Sequence, residues 1–306
     1  MSDLVKLDRL MTEQRNEHTM KLDEMTPYEI IQTMNEEDYH VVEAVKDALP
    51  MIEQAVLRAT ESLEQGGRII YVGAGTSGRI GVLDAVECPP TFGVPYEMVV
   101  GLIAGGEQAF VKAKEGAEDS FELGKEDLQK IKPTSSDVVI GLAASGRTPY
   151  VIGALRYAKE VNAKTVAISS NKDAEISKET DCAIELLTGA EVLTGSTRLK
   201  AGTAEKMVLN MISTASMVGI GKAYENLMVD VRQTNQKLVT RAENIVMEAV
   251  HCSREEAKEA LLEAKGEAKL AITKMLLKCD IETAKTSLSE AKGKVKVAVS
   301  KRKIIE

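Results

Sequence analysis

The chain has 306 residues, of which 44 % are hydrophobic and 3 % aromatic, and it carries a net charge of −8. The length exceeds that of one typical domain, and the apolar content supports a sizeable core. The acidic balance argues against nucleic acid or an anionic membrane surface as a partner. No apolar run approaches the ~20 residues that a membrane-spanning helix needs.

The first 65 residues have the pattern of helices. Thr26 followed by Pro27 predicts a helix N-terminus, with Thr as the cap and Pro at the first helical position. An amphipathic stretch over residues 41–63 predicts a second long helical region, with a kink or a break at Pro50. The pair Gly66-Gly67 then indicates a helix stop.

From residue 68 onward, short apolar runs alternate with helical patterns such as those at 149–161 and 203–221. The runs predicted as strands are residues 68–72, 98–104, 138–143, 165–169 and 183–187. Most are continuously apolar, which is typical of strands covered on both faces. Strand–helix alternation therefore predicts an α/β fold with a doubly wound, parallel, five-stranded sheet.

Beyond about Val250 the strand pattern disappears, and Ala, Glu, Lys and Leu dominate. Ser253 and Glu256 have the spacing of a capping box, and Asp280 opens another predicted helix. We therefore expect three segments. They are an N-terminal helical segment (1–60) packing on the core, an α/β domain (61–248) and a small all-α C-terminal module (249–306), which we expect to serve packing or dimer support.

Cysteine and histidine usage argues against a metal site. The four cysteines, Cys88, Cys182, Cys252 and Cys279, are widely spaced without a CxxC pair, and the chain has three His. Such cysteines are typical of reduced thiols in the cytoplasm. The polar start of the sequence lacks the apolar region of a signal peptide. We therefore expect a cytoplasmic protein without a bound metal.

Two predicted strands, the first and the third, lead into loops that share a Ser-Gly-Arg core. The carboxyl ends of parallel strands lie at one edge of a sheet, where ligands bind. Glycine allows close backbone approach, and helix N-termini together with hydroxyl groups favour a phosphate. The candidate binding residues are Gly75, Thr76, Ser77, Gly78, Arg79, Ser145, Gly146, Arg147 and Thr148.

A dinucleotide site is an alternative, because Gly73, Gly75 and Gly78 match its glycine fingerprint. That site needs an acidic residue at the end of the next strand to hold the ribose. Here the next strand reaches Gly106 before the first acid, Glu107. Glycines that only make tight turns are a further alternative, but turns do not require paired hydroxyls. The pattern therefore favours phosphate binding.

Carboxylates are the natural acid–base candidates, because histidines are few. Glu87 precedes Pro89-Pro90, which predicts a helix end directly behind it and a rigid position near the first loop. Glu118 lies in an acidic segment around Gly116, after the second predicted strand. A single acid of this kind is more often a solvated surface charge, so position in the fold must decide.

A third polar segment precedes the last predicted helix of the α/β region, whose start we place near Thr203. Ser196, Arg198 and Lys200 supply a hydroxyl and two cations that are suited to a sugar or a carboxylate. A solvated loop with a helix cap accounts for the same composition equally well.

Several motifs together resemble the N-acetylmuramic acid 6-phosphate etherase family over essentially the full chain. They are NEED (35–38), GAGTSGRIGVLDAVECPPTFG (73–93), GLIAGG (101–106), EGAEDS (115–120), GLAASGRTPY (141–150), GSTRLKAGTAEK (195–206) and LMVD (227–230). The resemblance implies a sugar-isomerase (SIS) fold related to the glucokinase regulatory protein. It also implies a cytoplasmic homodimer that recycles cell-wall sugars and forms N-acetylglucosamine 6-phosphate and D-lactate.

The same resemblance implies that Glu87 and Glu118 are the essential acids. Ring opening, elimination of lactate and addition of water need one base and one acid, without a metal or redox cofactor. We assign Glu87 to protonation of the leaving ether oxygen and Glu118 to proton abstraction at carbon 2; the opposite assignment stays open. Arg198 or Lys200 is a candidate for the lactyl carboxylate. The alternatives are a phosphosugar isomerase on the same fold and a phosphosugar-sensing regulator, although a regulator has no use for an acid–base pair.

Overall fold

The five apolar runs form one parallel sheet in the computed structural model, which describes residues 10–112, 114–231 and 236–302. The strands are β1 (Ile69–Gly73), β2 (Val99–Ile103), β3 (Val138–Leu142), β4 (Lys164–Ser169) and β5 (Ala183–Glu185). Their order across the sheet is β2-β1-β3-β4-β5, and every neighbouring pair is parallel. The predicted fold class is confirmed, with each strand bound within two residues of its prediction.

Strands β1 and β3 are buried at every position, in agreement with their continuous apolar sequence. Alternate residues point to opposite faces, so Ile70 and Val72 of β1 pack in the cluster that contains α6 (Pro149–Glu160). Tyr71 faces the other side, where a Cβ added at Gly81 of α3 (Gly75–Phe92) would lie 2.9 Å from the Tyr71 Cβ. Helix α5 (Phe121–Lys130) packs beside α6.

The direction of strand addition reverses between β1 and β3. The chain leaves β1 for the edge strand β2 and then returns across β1 to form β3, with Gly73 in register with both Ile103 and Leu142. In open parallel sheets, ligands bind at the carboxyl ends of the strands where the order reverses. The loops after β1 and β3 therefore border the crevice of this sheet.

The N-terminal region differs in part from the predicted helices. Residues 10–26 form only short 3₁₀ turns, because local bonds such as the one from the His18 N–H to the Asn16 side chain (2.9 Å) compete with helix formation. Helix α1 (Pro27–Asp47) begins with the predicted Thr26 cap, and α2 (Leu49–Glu64) has Pro50 in its first turn. The break at Pro50 is thus confirmed. The prediction for residues 1–9 lies outside the described residues.

Helix α3 does not end at Pro89-Pro90, so that prediction is wrong. The two prolines lack the N–H groups for two intrahelical bonds, yet the helix continues to Phe92. Gly93 ends it instead: its N–H donates to the Pro89 carbonyl at 3.0 Å, and its φ is +65°. Any Cβ at Gly93 would lie 2.1 Å from the Asp230 carbonyl oxygen, so only glycine fits this close approach.

The start of α7 (Lys200–Gly219) is also earlier than the predicted Thr203. The carboxylate of Glu191 accepts the backbone N–H groups of Lys200 and Ala201, each at 3.0 Å. The first N–H groups of a helix have no acceptor within the helix, and here a loop carboxylate provides the acceptor for two of them. Capping residues normally lie directly before the helix, so the sequence pattern does not indicate a cap nine positions upstream.

The chain divides into two compact units, one from Met1–Val86 and Glu97–Ser213 and the other from Glu87–Tyr96 and Thr214–Glu306. The first unit contains the sheet, together with α4 (Gln108–Val111) and 3₁₀ turns at Ala117–Asp119 and Ile176–Glu179. The three predicted segments 1–60, 61–248 and 249–306 stay a prediction. Within residues 10–112, 114–231 and 236–302, none of the helices combines the length and the hydrophobicity that a membrane span requires.

The second unit contains a small antiparallel hairpin, β6 (Ala223–Tyr224) and β7 (Leu227–Met228), which the sequence analysis missed. Its helices are α8 (Gln236–Val250), α9 (Arg254–Glu263), α10 (Ala268–Leu277), α11 (Ile281–Glu290) and α12 (Val295–Arg302). Small alanine side chains fill much of its core. The predicted capping box of Ser253 and Glu256 and the cap by Asp280 are both present.

Candidate active site

Loop 1 (residues 73–78) carries the chain from β1 directly into the first turn of α3. A Cβ at Gly78 would lie 2.7 Å from the Gly73 carbonyl oxygen and 2.8 Å from Cγ1 of Ile103. The first turn of α3 can therefore lie against the strand ends only because residue 78 has no side chain. This contact keeps the free N–H groups of the helix at the edge of the sheet.

Loop 2 (residues 143–148) carries the chain from β3 into α6. Gly146 has a φ of +72°, and a Cβ there would lie 2.4 Å from the Cβ of Ala174. The buried Asn171 side-chain amide donates to the carbonyl oxygens of Ala144 (3.1 Å) and Ser145 (3.3 Å). A glycine in a conformation that other residues rarely adopt, together with a buried amide, fixes the path of this loop.

A cavity of about 520 Å³, which we call the loop cavity, lies between the two loops. Six of the predicted binding residues line it: Gly75, Thr76, Ser77, Ser145, Arg147 and Thr148. The N-termini of α3 and α6 border it, and Thr148 at the α6 N-cap makes no side-chain capping bond. Helix N-termini and hydroxyl groups attract anions, so this part of the cavity suits a phosphate.

The remainder of the cavity lining is acidic. Glu118 and Asp119 reach it from the 3₁₀ turn Ala117–Asp119, and Glu13 and Glu175 also border it. Arg147 supplies the positive charge among the described lining residues, with its Nε 3.2 Å from a Glu175 oxygen. The Glu118 side chain is exposed and has no hydrogen-bond or ion-pair partner among the described residues, which leaves it available for proton transfer.

A buried acid lies behind loop 1. The Ser77 hydroxyl is 2.9 Å from Oε1 of Glu205, which is fully buried on α7. Burial, only partly opposed by the Ser77 hydrogen bond, raises the pKa of Glu205 to about 8. Sequence reasoning missed this residue. The available signal was an acid on the buried face of α7, which also carries Ala201, Ala204 and Val208.

Three family profiles match the chain in order. The glucokinase regulatory protein N-terminal SIS domain matches residues 51–159, the SIS domain matches 121–215, and the C-terminal lid domain of glucokinase regulatory protein matches 225–305. An N-acetylmuramic acid 6-phosphate etherase of Geobacillus sp. is 61 % identical over 272 residues, covering 89 % of this chain and 92 % of that protein.

The chain belongs to the N-acetylmuramic acid 6-phosphate etherase family. The etherase of Lactococcus lactis is 58 % identical over 88 % of this chain and 91 % of its own, and that of Glaesserella parasuis is 58 % identical over 90 % of each. Among solved structures, phosphoheptose isomerase from Neisseria gonorrhoeae is similar with a TM-score of 0.48 and 17 % identity, over 64 % of this chain and 98 % of that one. The family assignment comes from the sequence relatives and not from this distant structure.

Two cations predicted to bind substrate have other partners in this etherase-family chain. The Arg79 guanidinium donates to the carbonyl oxygens of Phe110 (2.9 Å) and Ala109 (2.8 Å), so it holds α4. Lys200 is 2 % exposed, and its Nζ lies 2.5 Å from a carboxylate oxygen of Glu37. The charge of Lys200 is thus paired with a carboxylate, whereas Arg79 has neutral hydrogen-bond acceptors. A substrate contact by either residue stays a prediction.

The remaining predicted residues fall into two groups. Gly78 and Gly146 support the loops through close packing, as described above. Ser196 is half-buried and Arg198 is exposed, and Thr197 between them lines the loop cavity. A substrate contact by Ser196 or Arg198 stays a prediction.

Glu87 belongs to the second unit, near the end of α3, and its side chain is exposed. It is the acid of the ECPPT motif on which the family resemblance partly rests. The continuation of α3 through Pro89-Pro90 places Glu87 within a helix and not at its end. Its catalytic role stays a prediction.

Proposed function

We propose that this chain cleaves the lactyl ether of N-acetylmuramic acid 6-phosphate and releases N-acetylglucosamine 6-phosphate and D-lactate. The observation that carries the proposal is 61 % identity to an etherase over 89 % of the chain. The loop cavity supports it, because two helix N-termini and the hydroxyls of Thr76, Ser145 and Thr148 suit the substrate phosphate. The reaction belongs to the recycling and catabolism of cell-wall amino sugars.

The chemistry follows from the substrate. A simple alkyl ether is hard to hydrolyse, because an alkoxide is a poor leaving group. Opening the sugar ring exposes an aldehyde at carbon 1, which makes the hydrogen at carbon 2 acidic and places the ether oxygen β to the enolate. Elimination then expels lactate, and water adds to carbon 3 of the unsaturated aldehyde. The sequence of steps needs an acid, a base and stabilisation of the developing oxyanion.

We assign Glu118 as the base at carbon 2, because it borders the loop cavity on a short turn held between Gly116 and the helix-capping Ser120. Glu87 protonates the leaving ether oxygen and later activates the incoming water; this assignment comes from the family resemblance. Exchange of the two roles is the alternative. Either way, one carboxyl must be protonated and the other ionised at the start of the elimination.

The decisive experiment incubates the purified protein with N-acetylmuramic acid 6-phosphate in water labelled with heavy oxygen. We expect D-lactate without the label and N-acetylglucosamine 6-phosphate with a labelled oxygen at carbon 3, as cleavage between carbon 3 and oxygen requires. Label in lactate would contradict the mechanism. Conversion of an aldose phosphate to a ketose phosphate without lactate would favour the isomerase, and binding without turnover would favour a regulator.

The role of Glu118 has a matched control in Glu115, an exposed acid of the same segment that does not line the loop cavity. We expect Glu118→Gln to lower kcat by about 10²–10⁴ and Glu115→Gln to lower it less than about twofold. Equal effects would contradict the assignment. Glu87→Gln tests the second acid in the same assay, and near-normal turnover would contradict its role.

We also propose that the chain acts as a cytoplasmic homodimer. The outer face of α1 supports a contact with a second copy, because Tyr28, Ile31, Tyr39 and Val42 lie on it and are between 56 % and 70 % exposed. Free cysteines agree with a reducing compartment. Light scattering after size exclusion should give twice the chain mass of 33.2 kDa. Tyr39→Glu should shift that mass toward the monomer, and a wild-type monomer would contradict the proposal.

A further inference from the structure

The mechanism above makes no use of Glu205, although this acid lies directly behind loop 1. Its Oε1 has one described hydrogen-bond partner, the Ser77 hydroxyl at 2.9 Å. Its other oxygen, Oε2, is buried and has no partner among the described residues. A buried carboxylate with a single neutral partner is unfavourable, and such groups normally take up a proton.

No described cation compensates a negative charge on Glu205. Along α7, Lys200 pairs with Glu37, and Lys206 acts on Asp84. On α3, Arg79 binds the carbonyls of Ala109 and Phe110. The other charged groups lining the loop cavity are Glu13, Glu118, Asp119, Glu175 and Arg147. Burial and the Ser77 bond are the influences on the pKa of Glu205, which is raised to about 8.

The proton of neutral Glu205 can form a hydrogen bond from only one of the two carboxyl oxygens, given the described residues. On Oε2 it would be a buried donor without an acceptor, whereas on Oε1 it points at the Ser77 oxygen. Ser77 then accepts this bond, and its own hydroxyl proton is free to point elsewhere. Ser77 lines the loop cavity, so an anion there is the acceptor that its proton can reach.

We propose that Glu205 is a positioning residue that, in its neutral form, donates to Ser77 and so directs the Ser77 hydroxyl proton toward a phosphate in the loop cavity. The inference rests on the proposed phosphosugar site and adds a linkage between phosphate binding and one proton. When Glu205 loses that proton, Ser77 must donate to the carboxylate. The cavity then presents an oxygen lone pair, backed by a buried negative charge, to the anion.

Phosphate affinity should therefore fall as pH rises through the pKa of Glu205. The probe is the reaction product N-acetylglucosamine 6-phosphate, whose binding needs no turnover. Its phosphate is a dianion throughout the range from pH 7 to 9.5, because the second phosphate pKa is about 6. If only the neutral form of Glu205 binds, calorimetry should show the Kd rising by about 30-fold across this range. Near pH 8, binding should take up about half a proton per site.

Two substitutions at Glu205 separate the hydrogen bond from the charge. In Glu205→Gln the amide donates to Ser77 at every pH, so the Kd should change less than about twofold between pH 7 and 9.5. Glu205→Met also has no titrating group, but it removes the hydrogen bond to Ser77. This variant should bind N-acetylglucosamine 6-phosphate about threefold to tenfold more weakly than Glu205→Gln at all pH values. Equal binding by the two variants would overturn the proposal.

The matched control is Asp84→Asn, which removes another buried acid with a raised pKa that does not line the loop cavity. This variant should keep the full pH dependence of the wild type. A wild-type Kd that is constant with pH, or a wild type that binds without proton uptake, overturns the role of Glu205 and leaves the proposed function intact. Failure to bind the sugar phosphate at every pH overturns the proposed function itself.

Discussion

Replacement of Lys200 by Met should destabilise the first unit strongly. Lys200 and Glu37 are 2 % and 6 % exposed in their side chains, and Nζ lies 2.5 Å from Oε2. Although burial opposes ionisation, hydrogen bonds from Lys200, His18 and Asn16 hold the pKa of Glu37 at about 2, below its ordinary 4.5. That difference corresponds to about 3 kcal/mol of stabilisation, shared among the three partners.

Removal of Lys200 leaves a buried carboxylate without its cation, and breaking such pairs typically costs about 3–5 kcal/mol. Because His18 and Asn16 remain, we expect Lys200→Met to lower the free energy of unfolding by about 3 kcal/mol. The double variant with Glu37→Gln should recover much of this loss, with a coupling energy of about 2 kcal/mol. The chain has no Trp, so urea unfolding is best followed by circular dichroism.

The exposed pair of Lys21 and Glu24, at 3.5 Å and with side chains 77 % and 67 % exposed, is the matched control. Lys21→Met should change stability by less than about 0.5 kcal/mol. The pKa of Glu37 is lowered, so its contribution is present above about pH 4.5 and is lost as pH falls toward 2. The deficit of Lys200→Met should shrink over that range. A coupling energy below about 0.5 kcal/mol at pH 7 would refute the reasoning.

Three further predictions concern stability. Because the pKa of Glu205 is raised, the stability of the wild type should fall as pH rises from about 4.5 to about 8. Glu205→Gln should flatten this slope and raise the free energy of unfolding by up to about 3 kcal/mol at pH 7. An unchanged pH slope in urea unfolding would contradict this. Gly146→Ala should cost about 2–4 kcal/mol, because its Cβ meets the Cβ of Ala174 at 2.4 Å in a positive-φ position. Gly75→Ala has open space and should cost only about 1 kcal/mol, so equal losses would argue against the contact. Ser253→Ala removes the N-cap of α9 and should lower the free energy of unfolding of the second unit by about 1 kcal/mol, which a lower Tm would report. An unchanged Tm would contradict a stabilising role of the cap.

The sheet was predictable because its signals are local. Five short apolar runs, each followed by turn or helix signals, define the strands within two residues, and the loops after β1 and β3 already showed their hydroxyl-rich character. The neighbouring positions of those loops follow from the strand order, which the alternation of strands and helices does not fix by itself. The Thr26 cap and the Ser253 capping box were also predictable, since the residues of each lie within four positions.

Several of the differences share a physical cause, which is a partner outside the local sequence. Helix α7 begins early because Glu191 caps it from the preceding loop, and α3 passes its prolines and ends where Gly93 meets the Asp230 carbonyl. The ion pair of Lys200 is equally hidden from the sequence, because a cation in a polar loop carries no sign of a buried carboxylate 163 positions earlier. Composition identifies such a side chain as charged, and only the fold shows where its counter-charge lies.

That same separation has a consequence for biosynthesis. Glu37 leaves the ribosome 163 residues before Lys200, and Thr12 precedes its partner Asn171 by 159. At about 5–20 residues per second, the N-terminal segment waits on the order of ten seconds or more for its partners. During that interval a carboxylate that will be buried stays in water, where an unpaired charge is harmless. The ion pair that joins α1 to α7 therefore forms only after the first turn of α7 has been synthesised, late in the translation of the first unit.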